Sequence, residues 1–239
     1  MNDQTAARAS LRLPISLLLL GQLSYVGVTL LHAGGDANNH HAIFSTYAEN
    51  AIWTAVHLGQ FLSMAIMIAG LFALNLAVAG SRPGANWMAR IGAGAAVAAL
   101  ALYAALQAVD GVALKQAVNA WASAPEAEKA ARFAAAEAVR WLEWGMRSYH
   151  DFALGLALLL SAAGVAMTAR FSAILALLIG LSGIAYLAQG WIAGTEGFAP
   201  AQSLAIVAGW VLGLLWMVWL AVSASRESAP AAAPNLAAA

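Results

Sequence analysis

His32, His40 and His41 fall within ten residues of one another, with Asp36 between them. Imidazole is a neutral ligand near pH 7, and an adjacent carboxylate fixes its orientation on a metal. Farther along the chain stand His57, Asp110, His150 and Asp151. Histidine and carboxylate together suit borderline divalent ions such as Zn²⁺, Cu²⁺ or Fe²⁺. The spacing matches no strong zinc signature such as HExxH. A solvated polar loop is therefore the competing reading of the first three histidines.

The elements that must position these residues are set by composition. The chain has 239 residues, 62% hydrophobic and 9% charged, with a mean hydropathy of +0.75. A soluble domain usually carries about 25% charged residues, so lipid must be the solvent. Net charge is zero, and no basic patch interleaved with aromatics marks a nucleic-acid partner. No cysteine is present, which excludes disulfides, thiolate metal sites and cysteine nucleophiles.

A bilayer core needs roughly 20 apolar residues per helix. Six stretches meet that length: Leu13 to Leu31, Ile52 to Val78, Ile91 to Val109, Phe152 to Thr168, Ser172 to Ile192 and Ser203 to Ser223. Arg8 and Arg12 precede the first, as they would in a signal peptide. Its length, and the lack of a small-residue cleavage site before His32, favour an uncleaved span. Residues 1–228 thus form a single membrane domain, and the Ala/Pro-rich tail 229–239 is expected to be disordered.

Arginines set the orientation. With the N-terminus inside, the inner segments hold six arginines and two acids, whereas the outer ones hold five basic residues and nine acids. The short inner loops follow the positive-inside rule, so both termini are expected to be cytoplasmic. Threading the spans this way sends all five histidines to the outer face.

The outer segment from Gly111 to Tyr149 is expected to be helical. Ser123 and Glu126 form a capping-box pattern, with Pro125 in the first turn. Glu128 and Arg132, like Glu143 and Arg147, are four apart in the favourable order. The helix from Pro125 either runs into the fourth span, giving about 44 residues and roughly 65 Å, or bends at Gly145. With Val112 to Trp121 extending the third span, it makes a helical hairpin above the outer face. Gly190 with Gly194, and Gly209 with Gly213, read as sites of close intramolecular helix packing. Trp210, Trp216 and Trp219 read as lipid-facing or interfacial anchors.

Polar side chains within hydrocarbon are costly and mark function by default. Here they gather in the outer halves of the spans: His57 and Gln60, Gln107 and Asp110, His150 and Asp151, Gln189, Gln22 and Tyr25. The pattern predicts a polar cup open to the outside, centred on His57, His150 and Asp110 and closed by His32, Asp36, His40 and His41. Each member also has a structural reading. Asp151 can pair with Arg147, Asp110 can cap a turn, and the glutamines can bridge neighbouring helices.

Three function classes follow. The site binds a divalent metal; or His57 and His150 hold haem b in an electron carrier with a quinone partner; or the bundle binds or moves a small organic or lipid ligand. Haem ranks lower, because no span carries the usual histidine pair. A proton pump is disfavoured by the lack of acids and histidines in the inner half. A bundle with no chemistry of its own is the default against which these compete. No phosphate-binding loop, GxGxxG or GxSxG is present, and nothing marks Ser24 as a nucleophile for His57. Whether the chain is an enzyme, and its oligomeric state, are left open.

The segments HAGGDANNHHAIFSTYAEN, WTAVHLGQF and DGVALKQAVNAWASAPEAEKAARFAAAEAVRWLEWG resemble a group of bacterial six-span integral membrane proteins with no assigned function. The resemblance spans roughly residues 30 to 150. It implies a six-helix protein of the bacterial inner membrane and carries over no catalytic residue.

Overall fold

The computed structural model describes residues 3–79 and 82–226. The tail 229–239 and its expected disorder lie outside them. Every regular element among the described residues is helical: α1 (Asp3–Thr29), α2 (His40–Glu49), α3 (Trp53–Val78), α4 (Pro83–Ala108), a π-helical segment (Val109–Leu114), α5 (Lys115–Ala122), α6 (Glu126–Ala166), α7 (Ala173–Glu196) and α8 (Pro200–Arg226). Six of these stretches are long and apolar enough to cross a membrane. Helices are the open-chain solution in lipid, because they satisfy their backbone hydrogen bonds internally.

The six spans pack in chain order, α1 on α3, α3 on α4, α4 on α6, α6 on α7 and α7 on α8, and α1 closes the ring on α8. Small residues set the close approaches. A Cβ on Gly70 would lie 2.7 Å from the Leu18 backbone nitrogen, and one on Gly21 would lie 2.6 Å from the Met67 Cα. Gly190 and Gly194 meet Ser148 on α6, Gly209 meets Gln189 on α7, and Gly213 meets Gln22 on α1. All four contacts are within the chain.

The hairpin is present, and α6 is one unbroken helix of 41 residues through Gly145. It does not begin with a capping box. Pro125 occupies the N-cap, while the Ser123 hydroxyl donates to the Asn119 carbonyl at 2.9 Å. The serine thus closes α5 instead of opening α6. Arg132 pairs with Glu128 as spaced, at 3.1 Å. Glu143 pairs with Arg140 and not with Arg147, which takes Asp151 at 2.8 Å.

The first outer segment is not a simple loop. Asn39 caps α2 by accepting from the Ala42 amide. Ile43, Phe44 and Tyr47 then pack with Trp53, Leu114, Val118 and Ala136 into a second core beyond the spans. Lys115 donates to the Tyr47 and Ala48 carbonyls at 2.7 and 2.9 Å. A cation at a helix C-terminus also suits the helix dipole. Of the three α8 tryptophans, Trp219 is partly exposed, but Trp216 is buried and Trp210 packs edge-on against Tyr25. The latter two fill the bundle instead of anchoring it in lipid.

The α1–α3 contact makes a direct test of this packing. Gly21→Val and Gly70→Val each force backbone apart and are expected to cost about 1–3 kcal/mol or more. Gly27→Ala, with nothing within 4 Å of its added methyl, is expected to cost nothing. Thermal unfolding in detergent, followed by circular dichroism, separates the two classes. Equal stability of all three variants would contradict the packing.

Candidate functional site

The site begins where α4 loses its regular pitch. The π-helical turn Val109–Leu114 carries Asp110, and such wide turns recur at functional sites. Two residues at the start of α3 hold it. Trp53 Nε1 donates to the Asp110 carbonyl and Thr54 Oγ1 to the Gly111 carbonyl, both at 2.9 Å. Gly111 allows the contact, since a Cβ there would sit 2.6 Å from the His57 Cβ.

This brings the Asp110 carboxylate Oδ2 within 2.9 Å of His57 Nε2. His57 is 1% exposed and Asp110 9%. His32, just beyond α1, completes the group, its ring 5.1 Å from that of His57. One ligand atom from each of His32, His57 and Asp110 lies within 4.8 Å of the others. Two ligands on a tetrahedral ion at about 2.1 Å are roughly 3.4 Å apart, so the set needs only a small contraction to close on a metal.

The two imidazoles are oriented alike. His57 Nδ1 lies 2.7 Å from the Trp53 carbonyl oxygen, and His32 Nδ1 lies 3.0 Å from that of Ala33. A carbonyl only accepts, so each Nδ1 carries the hydrogen, and each Nε2 is left for a proton or a metal. Imidazoles that bind metals are held in this manner, by donation from the other nitrogen to a carbonyl or carboxylate. His57 Nε2 and Asp110 Oδ1 are both buried without a well-directed hydrogen bond. A neutral imidazole lone pair facing a carboxylate at this distance is repulsive unless a cation, proton or metal, lies between them.

Burial pushes the titration of His32 below its ordinary value of 6.5; Asp110 opposes that shift and His57 adds to it. The ring is therefore neutral, and able to ligate, at neutral pH. Burial likewise raises the Tyr47 hydroxyl, which stays protonated.

The group borders a cavity of about 420 Å³, within the usual range for small-molecule sites of roughly 300–1,000 Å³. Gln60 and Gln107 line it, and so do Tyr25, Arg140, Glu143 and Arg147. Gln60 donates to Thr29 at 3.1 Å.

The other expected site residues lie elsewhere. His150 is buried against Tyr103, its Nδ1 on the Ala99 carbonyl at 2.9 Å, and is not in the His32–His57–Asp110 group. His40 contacts Glu137 at 2.9 Å and stacks on Phe44. His41 packs between Trp121 and Phe133. Asp36 accepts from the Asn38 amide. Asp151 takes Arg147, and Gln189 links Arg147 to the Ala205 carbonyl.

The sequence marks Glu143 only as a helix partner of Arg147, and Arg140 not at all. Arg140 joins Glu143, the Ala37 carbonyl and the Tyr47 hydroxyl, and so ties the first outer segment to α6. A signal existed: Arg140, Glu143, Arg147 and Asp151 recur three or four residues apart, which is one helix face.

The His32 shift has a pH consequence. A histidine that titrates lower when folded leaves the unfolded chain to take up the proton first. Its contribution to stability is complete above about 6.5 and is lost as pH falls below that value. The unfolding midpoint is expected to drop between about pH 7.5 and pH 5.5, and to drop less in His32→Gln. An identical drop in both proteins would remove His32 as the cause.

No protein-family model, curated protein or solved structure matches this chain, so its chemistry is read from the geometry of His32, His57 and Asp110.

Proposed function

We propose that this is a multi-pass membrane protein that binds a divalent transition metal at the hairpin end of its bundle. His32 Nε2, His57 Nε2 and the Asp110 carboxylate are the ligands. The carrying observation is the juxtaposition of the three groups: His57 Nε2 faces the Asp110 carboxylate at 2.9 Å, and His32 offers a ring nitrogen within 4.8 Å of both, each ring with its Nδ1 on a backbone carbonyl. Two imidazoles and a carboxylate suit Zn²⁺ or Fe²⁺ and leave coordination positions open. Those positions adjoin the cavity, so a small molecule can reach the ion. The excess of arginines over acids in the opposite loops puts the hairpin end outside and both termini in the cytoplasm, in keeping with a bacterial inner membrane.

Elemental analysis by plasma mass spectrometry on detergent-purified protein tests this. Near-stoichiometric zinc, iron or copper is expected in the wild type. It is expected to be lost in His57→Ala and Asp110→Asn, and kept in His150→Gln. A folded wild type without metal, or metal retained in His57→Ala, overturns the assignment.

A further inference from the structure

We propose that the deep end of the cavity takes a neutral, lipid-soluble aromatic carbonyl compound of the quinone class, entering from the bilayer between α1 and α8. This end is distinct from the ion site and needs no metal. Tyr103, which marks it, precedes Asp110 by seven residues along α4, roughly 10 Å of helix rise.

Spare hydrogen-bond donors select the oxygen of the ligand. Tyr103 is buried, and its hydroxyl makes no well-formed hydrogen bond. Its polar neighbours include Tyr25 and Arg147. Two adjacent hydroxyls carry two hydrogens, and only one of them can serve the contact between the pair. Arg147 commits Nε to Asp151 and Nη2 to Gln189, and its Nη1 makes no hydrogen bond among the described residues. Tyr25, Tyr103 and Arg147 all line the cavity. Surplus donors in such surroundings require an acceptor, and a carbonyl oxygen supplies one without asking for a donor in return.

The lining selects the ring. Tyr25 stands edge-on to Tyr103 and to Trp210, with ring centres 6.2 Å apart in both pairs. Leu106 and Ile206 extend this apolar wall. A flat aromatic ring packs well against such edges and faces.

The route of entry selects a neutral molecule. Deeper in the bundle α8 lies close to α1, where a Cβ on Gly213 would be 3.3 Å from Gln22 Oε1. Nearer the hairpin end, α8 turns Ser203 and Val207 to the cavity, and half-buried Thr29 on α1 lines it too. Ser203 and Val207 are exposed, Val207 by 53%, and both belong to a stretch long and apolar enough to cross a membrane. The cavity therefore has a mouth in the α1–α8 seam that faces lipid. Charged groups enter hydrocarbon at high cost, so a ligand taking this route is neutral.

The test uses the detergent-purified full chain, with thermal unfolding followed by circular dichroism. Duroquinone, a tetramethylbenzoquinone, is the probe. Durene, the same methylated ring without carbonyls, is the control. Duroquinone is expected to raise the unfolding midpoint in a saturable manner, and durene to leave it unchanged. Tyr103→Phe deletes an unpartnered hydroxyl, so it is expected to unfold no earlier than the wild type, yet to bind duroquinone about fivefold more weakly. Val207→Trp narrows the mouth and is expected to reduce the shift. Equal shifts with durene and duroquinone overturn the proposal, as does full duroquinone affinity in Tyr103→Phe. An unchanged shift in Val207→Trp overturns entry from the bilayer. A shift abolished by chelation also overturns the proposal, because the ligand then sits on the ion. A protein that purifies without metal and still shows the duroquinone shift removes the metal reading and leaves this one.

Discussion

A charge that leaves water must find its opposite before the surrounding helices can close. In this protein that requirement falls on one face of α6. Arg140 takes Glu143, and Arg147 takes Asp151. Three of these four side chains are almost fully buried. Their spare hydrogen-bonding capacity is then spread to the neighbours. Arg140 reaches the Ala37 carbonyl and Tyr47, and Arg147 reaches Gln189 on α7. The same ladder that lets α6 remain helical for 41 residues thus also locates the first outer segment and α7. The cavity takes its polar walls from these residues.

Against this frame the His57–Asp110 contact depends on backbone geometry. A regular α-helical continuation of α4 would place Asp110 differently about the axis, and any side chain larger than hydrogen at position 111 would hold α3 away. The wide turn at Val109–Leu114 and the bare Gly111 solve both problems. Trp53 and Thr54 then fix the turn through its carbonyls. Trp53 also stacks on His57 with ring centres 4.4 Å apart. The first turn of α3 therefore positions both the imidazole and its carboxylate.

The six spans and the hairpin were legible because hydrophobic length is a property of consecutive residues. The gathering of polar groups at one end was legible for the same reason, once alternate threading was assumed. The site's membership was not. Depth along a span can be counted, but azimuth depends on which neighbour a face meets. His57 meets Gly111 beside Asp110, whereas His150 meets the Ala99 carbonyl and Tyr103 about three helical turns deeper along α4, so the counted depth also failed. His32 read as a loop residue because nothing local fixes its ring against Trp53 and His57. The π turn has no composition of its own, and Asp110-Gly111 read as a cap or turn signal. The capping pattern at Ser123 failed because its hydroxyl had a nearer acceptor in the helix it ends.

If a metal binds between His57 and Asp110, it competes there with a proton. With Nδ1–H committed to the Trp53 carbonyl, a proton on Nε2 makes an imidazolium–carboxylate pair, and a divalent ion there displaces it. That exchange would raise the local charge by one unit. On the proposed reading, metal uptake at this end of the bundle would release a proton. His32, kept neutral by burial, would add a ligand without adding a charge. His32, His57, Asp110 and Arg140 therefore act on one another electrostatically, and a change of charge at any one of them is felt by the rest.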